Sequence, residues 1–399
     1  MTLPRSPGLF TLVLMAGTSV MSLNLILPAL GSLAEGFGLS YATASFVFSG
    51  YLIVTGVMTL VMGPLSDRFG RRPIVLTALS IFILASLCSA LAPNAVFLFV
   101  FRFLQAVVVA AGVLGQAVVR DTSASQSDTT RKLALIAMAM ALVPLIGPMA
   151  GGVIADLMGW RAVFMAQAGV GALTLLLCVF DLNETNQHRS ATFLAQFRAY
   201  PGLVSSLRFW GYVMTLCMGV AVFFSFLAGM PFIAKARFGF GETMIGVMLG
   251  TLTLGYLVAN GVLRQISDRF MQAGIMVFAR VLGLIGPLIS MAFIVLGFTN
   301  PIVIFAPLVL MGAANGLSLP LANSGIVSVR PDLAGSAAGL SQALVSWIGA
   351  TCAALVSLLL TSTPSTFVFL WALTVMAAMA LLPSVLVLFL DRREAAKPA

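Results

Sequence analysis

Twelve stretches of this chain are each apolar over about 20 residues, the length an α-helix needs to cross the hydrocarbon core of a bilayer. They lie at roughly 8–31, 43–63, 74–92, 97–119, 132–154, 163–182, 209–233, 243–264, 274–297, 302–325, 335–360 and 366–390. Inside lipid every backbone N–H and C=O must find its partner within the protein, which leaves only helices and closed barrels. Runs of this length, without period-two alternation, choose helices. Only 8% of the residues are charged, against about 25% in a soluble domain, too few to clothe a water-facing surface. The expected fold class is an all-α membrane protein of twelve transmembrane helices. The first run is too long for the apolar core of a signal peptide and is read as a retained helix.

The longest polar interruption, 183–208, carries Asn183, Glu184, Asn186, Gln187, His188, Arg189, Arg198 and Arg208. It divides the chain into a bundle over 1–182, a cytoplasmic linker over 183–208, a second bundle over 209–390 and a cytoplasmic tail over 391–399. Orientation follows from the basic residues, because cytoplasmic loops carry an excess of Lys and Arg. With the N-terminus inside, sixteen fall on the cytoplasmic side: Arg5, Arg68, Arg71, Arg72, Arg120, Arg131, Lys132, Arg189, Arg198, Arg208, Arg264, Arg269, Arg330, Arg392, Arg393 and Lys397. Only Arg161, Lys235 and Arg237 fall outside, and Arg102 and Arg280 lie within spans. The asymmetry puts both termini in the cytoplasm. The net charge of +9 is therefore spent on topology, and nucleic acid is excluded as a partner. The two halves also echo each other. Ser66-Asp67-Arg68-Phe69 follows the second run and Ser267-Asp268-Arg269-Phe270 follows the eighth, at an offset of 201 residues. The echo predicts two parallel repeats of six helices.

Nothing in the sequence supports an enzyme. Cys88, Cys178, Cys217 and Cys352 each sit inside an apolar run without CxxC spacing, and His188 is the single histidine, in a polar loop. There is no metal cluster, nucleophile elbow or nucleotide-binding loop.

Gly63-Pro64-Leu65-Ser66-Asp67-Arg68-Phe69-Gly70-Arg71-Arg72-Pro73 resembles the signature of major facilitator transporters, G-x-L-x-D-R-x-G-R-[KR], between helices two and three. Gly63 and Gly70 suit a tight turn and close helix approach. Asp67 suits hydrogen bonds from arginines or from a helix N-terminus, such as that of the eleventh helix near Gly335. In the fifth run, Val143-Pro144-Leu145-Ile146-Gly147-Pro148-Met149-Ala150-Gly151-Gly152 resembles the exporter signature G-x-x-x-G-P-x-x-G-G, with Val143 in place of its first glycine. Pro144 and Pro148 bend the helix, while Gly147 and Gly151, one turn apart, are expected to pack closely on a helix of the other half. In the fourth run Arg102, Gln105 and Ala106, Ala110, Ala111 and Gly112 resemble the R-x-x-Q-G-x-x-A pattern of proton-coupled exporters, with Ala106 where glycine is usual. Arg102 either faces a cavity or proton site or snorkels to the outer interface. Arg280 is expected to snorkel to the inner face.

The likeness extends to the bicyclomycin-resistance (Bcr/CflA) branch of major facilitator drug:proton antiporters. It rests on Leu27-Pro28-Ala29-Leu30, Arg120-Asp121, Gly159-Trp160-Arg161, Glu184-Thr185, Phe224-Ser225-Phe226 and Pro231-Phe232. The resemblance implies a major facilitator fold of two pseudo-symmetric six-helix bundles and multidrug efflux by alternating access in the bacterial inner membrane. It also implies no bound cofactor, with the proton gradient as energy source. That branch commonly has an aspartate where this chain has Asn24, and an amide does not titrate. Asp121 and Asp67, with Arg102, become the proton-coupling candidates. Candidate substrate contacts are the mid-span polar and aromatic residues Asn24, Tyr51, Gln105 and Gln116 in the first half. In the second they are Phe223, Phe226, Tyr256, Asn260, Asn315, Asn323, Gln342 and Trp347. Without deep carboxylates the expected substrates are neutral or weakly charged and moderately apolar. The competing reading is a major facilitator carrier of another solute, a sugar or metabolite, in either direction. A monomer in lipid suffices for either.

Overall fold

The computed structural model describes residues 6–186 and 200–395. The predicted roles of Arg5, Gln187, His188, Arg189, Arg198 and Lys397 lie outside the described residues. Each of the twelve predicted runs holds a long apolar helix: α1 Leu9–Phe37, α2 Tyr41–Phe69, α3 Arg71–Ala90, α4 Ala95–Thr122, α5 Gln126–Met158, α6 Trp160–Asp181, α7 Leu207–Phe238, α8 Glu242–Ile266, α9 Gln272–Val295, α10 Pro301–Val329, α11 Pro331–Ser362 and α12 Thr366–Ala395. Rings and branched side chains such as Phe10, Leu84, Phe180 and Leu382 are left on the outside, as a lipid-facing surface requires.

Most helices outrun the stretches expected from hydropathy, because their ends are set by caps rather than by apolar length. Ser40 accepts from the amide of Thr43, Asn94 from Phe97, Ser125 from Asp128 and Ser206 from Phe209, each satisfying an N–H that the helix leaves open. The cap at Ser206 starts α7 at Leu207, inside the expected linker, and a short helix, Tyr200–Val204, precedes it. At the other end the expected tail is helical through Ala395. Arg208 holds it there, with one guanidinium nitrogen 2.7 Å from Asp391 and another 2.6 Å from Glu394. The loop signature is corrected in the same way. Gly63 lies inside α2 in helical conformation, and a Cβ there would meet nothing within 4 Å, so it makes neither turn nor close approach. The break falls at Gly70 alone, whose φ of 104° is open to glycine but strained for other residues.

The chain divides into two compact units, residues 1–196 with 241–246, and residues 197–240 with 247–399. Within the first, α1 packs on α4 and α5, α2 on α4, and α3 on α6. Within the second, α7 packs on α10 and α11, and α9 on α12. α8 meets α10 where Gly255, Gly312 and Gly316 let backbone touch backbone; a Cβ on Gly312 would fall 1.8 Å from the carbonyl oxygen of Leu252. The same pairings therefore recur six helices apart, which is the internal repeat that the Ser-Asp-Arg-Phe echo implied.

Among the described residues three spans are interrupted within their length, and α11 opens on a 3₁₀ turn at Pro331–Leu333. Short 3₁₀ turns interrupt α1 at Leu27–Ala29, α4 at Gln105–Val108 and α10 at Ala306–Leu308. Pro28 and Pro307, which lack amide donors, account for the first and third. The α4 turn has no proline; it begins at Gln105 and follows Arg102, both fully buried.

Candidate functional site

Arg102 is fully buried, with 0% of its surface exposed, which excludes snorkelling. Its Nε donates to the Val47 carbonyl at 3.0 Å and one Nη to the Ser22 carbonyl at 3.0 Å. The other Nη donates to Gln105 Oε1 at 2.6 Å and more weakly to Ser22 Oγ at 3.4 Å. The guanidinium also lies 4.1 Å from the centre of the Tyr51 ring, whose electron-rich face favours a cation. Gln105 in turn donates to Ser86 Oγ at 2.7 Å and to Gln167 Oε1 at 3.2 Å, and Gln167 donates to the Ser22 carbonyl at 3.1 Å. Residues of α1, α2, α3, α4 and α6 thus meet in one polar cluster without a carboxylate. The Ser22 carbonyl is free to accept twice because α1 loosens into its 3₁₀ turn just beyond it. Two residues along α1, Asn24 is 2% exposed. Its Nδ2 donates to the Val20 carbonyl, while its Oδ1 has no hydrogen-bond partner among the described residues.

At Gly147 and Gly151 the partner of the α5 seam differs from expectation, while Gly152 meets the backbone of Glu242 at the start of α8, in the second half of the sequence. A Cβ on Gly151 would come 1.9 Å from the Leu25 carbonyl oxygen, and one on Gly147 would come 3.3 Å from Asn24 Cβ. Both glycines therefore face α1 of the same unit, because the bend at Pro28 brings that backbone against them. Pro144 and Pro148 are accommodated within an unbroken α5.

A second cluster gathers motifs that are far apart in sequence. Arg71 pairs with Asp67 at 2.6 Å and with Asp121 at 3.3 Å. Asp121 also accepts from Thr185 Oγ1 at 3.2 Å. The Glu184 carboxylate accepts from the backbone amides of Arg71 and Arg72, at 2.9 and 3.3 Å, and so seats a negative charge on the N-terminus of α3. Arg72 donates to the carbonyls of Leu182 and Val179, and Asn186 to those of Ser66 and Asp67. The loop signature, the Arg120-Asp121 pair and the Glu184-Thr185 pair form one clamp that ties the start of α3 to the end of α6. Arg68 and Arg120 take no part in these bonds; Arg68 lies over the Phe69 ring.

The remaining candidates differ in burial. Gln116, Asn323 and Gln342 are exposed, while Phe223, Tyr256, Asn260 and Trp347 are partly buried. Phe226 is 1% exposed and stacks on Phe369, so it is packed within its own unit. Asn315 is buried with Arg280, which is 4% exposed and does not snorkel. The sequence reading missed Gln167, although a lone amide in an apolar run is the signal that singled out Gln105. Ser22 and Ser86 carry no such signal, because most serines in spans bond to their own helix. Asp181 was also missed: its carboxylate takes the Gly8 amide and the Thr11 hydroxyl at 2.7 and 2.6 Å, capping α1.

Comparison with known proteins fits this arrangement. The Major Facilitator Superfamily profile matches residues 12–351. The chloramphenicol resistance protein of Pseudomonas aeruginosa is 28% identical over 59% of this chain and 56% of its own length, so the chain spans just over half of that relative. Multidrug resistance protein D of Escherichia coli is 25% identical over 83% of this chain and 84% of its own. Among solved structures, a POT family transporter in complex with 5-aminolevulinic acid superposes with a TM-score of 0.74 at 15% identity, covering 97% of this chain and 96% of its own, which bears on fold alone. The twelve helices, their six-helix repeat and the profile match agree: this chain is a member of the Major Facilitator Superfamily.

Proposed function

We propose that this chain is a secondary active exporter of small, moderately apolar compounds, working by alternating access in the bacterial inner membrane with inward proton flow as its drive. In this reading both termini are cytoplasmic, no bound cofactor is needed and a monomer suffices. The observation that carries it is the chemistry available at mid-span. The deep polar groups are amides, hydroxyls and two arginines, whereas all twelve Asp and Glu residues stand in loops or within four residues of a helix end. A desolvated cation would find no counter-charge there, while a neutral solute with one or two hydrogen-bonding groups would. The unpartnered Asn24 Oδ1 offers an acceptor to such a donor. The relatives named for chloramphenicol and multidrug resistance support drugs as the cargo.

The test is accumulation of chloramphenicol, a neutral probe, in cells lacking their own exporters, with and without this chain and with and without a proton uncoupler. Lower accumulation that the uncoupler abolishes is the expected result. Unchanged accumulation of chloramphenicol and of a panel of neutral antibiotics overturns the reading.

A further inference from the structure

The second unit holds its own buried arginine, and its surroundings differ from those of Arg102. Arg280 stands in the third turn of α9, and Gly219 of α7 is what admits it. A Cβ on Gly219 would lie 2.3 to 2.7 Å from three atoms of the guanidinium. One Nη donates to Asn315 Oδ1 at 2.8 Å and the other to the Thr215 carbonyl at 3.1 Å. Asn315 is itself oriented by donating to the Gly219 carbonyl at 3.0 Å, so its oxygen faces the arginine. Arg280 Nε has no hydrogen-bond partner among the described residues. None of the described ion pairs or cation–ring contacts involves it.

Beside this group lies a cavity of about 10 Å³, enough for the centre of one water-sized guest. Gly283, Ala314, Ala377 and Ala380 line it with Arg280 and Asn315, and their small side chains are what leave the space. We infer that the cavity is a site for a single monatomic anion, chloride in chemical class, held by the Arg280 guanidinium and the apolar walls contributed by α9, α10 and α12. Water in the same place would leave the positive charge uncompensated in a medium of low dielectric. The carbonyl oxygens of Asn315 and Thr215 are neutral dipoles. A halide supplies the negative charge that neither these dipoles nor a water provides, and it is more compact than a carboxylate or an oxyanion. Arg102 differs in that all three of its guanidinium nitrogens have acceptors and its face lies over the Tyr51 ring.

The site is testable without substrate, so its outcome is separate from that of the export reading. The purified full-length protein would be melted in detergent in sodium chloride, sodium bromide and sodium gluconate at equal ionic strength. The expected result is a saturable rise in Tm of about 3 °C or more in either halide over gluconate. Ala380→Leu, which fills the cavity and keeps the arginine, is expected to lose that difference, as is Arg280→Gln. Identical melting of the unaltered protein in all three salts would mean that no halide is held there, and would overturn the proposal whether or not the variants fold. A halide response that persists in a folded Ala380→Leu would overturn it equally.

Discussion

Arg102 shows how a residue forbidden by its surroundings is made tolerable by geometry. A guanidinium spreads its charge over a planar fork, and here its donors meet the carbonyls of Val47 and Ser22 and the Gln105 amide oxygen. Lysine would offer one compact ammonium and could not reach all three. Arg102→Lys is therefore expected to remain in the membrane but lose most export, by about tenfold or more in efflux rate, with a lowered Tm. Arg102→Ala leaves Gln105 Oε1 buried without a donor, at about 1–3 kcal/mol, takes one donor each from the Val47 and Ser22 carbonyls, and is expected to melt lower still. Melting curves and efflux on the same preparations check the order. Equal export by Arg102→Lys and the unaltered chain would remove the cluster from the mechanism.

Among the elements, contacts between backbones carry sharper predictions than contacts between side chains. The Leu25 carbonyl cannot move away from a methyl group placed on Gly151 without disturbing the α1 bend, whereas Asn24 can shift a few tenths of an ångström from one on Gly147. Gly151→Ala is expected to lose about 1–3 kcal/mol and Gly147→Ala less. Gly169→Ala, with nothing within 4 Å of the new Cβ, is expected to be neutral or to gain about 0.5–1 kcal/mol from helix propensity. Thermal melts of the three variants give the ranking directly. At the N-terminus of α3, Glu184→Gln keeps an acceptor but removes the charge, at an expected cost of about 0.3–1 kcal/mol. Glu184→Ala removes both and is expected to cost more, with the α2–α3 loop becoming open to protease; equal cleavage rates would dismiss the clamp. The sequence showed the residues of this clamp as three separate motifs. That they share one arginine became visible only when the ends of α2, α4 and α6 were brought together.

For the whole molecule, the distribution of carboxylates bears on the proposed export, on what it would carry and how it would be driven. Asp67 and Asp121 both lean on Arg71. If either is the proton carrier, its conversion to Asn abolishes substrate-induced proton release in vesicles, and undiminished exchange in both variants discards the pair. A permanent dication is expected to be exported poorly beside a neutral compound of similar size; strong saturable export of the dication would contradict the selectivity argument. The extent of the fold legible from sequence follows the same physics. Lipid forces a spanning segment to be apolar over its whole length, so the twelve helices and the repeat could be counted from hydropathy and one echoed motif. Helix ends were misjudged at Phe37, Leu207 and Ala395, because capping hydrogen bonds and the Arg208 pairs set them and leave little trace in hydropathy. In the polar cluster, Arg102, Gln105 and Tyr51 stood out as misfits in apolar runs. Ser22, Ser86 and the carbonyls of Val47 and Ser22 did not, since backbone acceptors have no letter in a sequence.

By itself the sequence determined the solvent, the number of spans, the six-helix repeat and the family, because each depends on composition along the chain and on local motifs. Only the tertiary structure decided that Arg102 and Arg280 are buried rather than snorkelling, that Gly147 and Gly151 face α1, and that Glu184 and Asp121 serve the start of α3. The physical reason is that a hydrogen bond is set by distance and angle between atoms up to 186 residues apart in the chain, as between Arg208 and Glu394, and a one-dimensional pattern holds no record of which distant donor meets which acceptor.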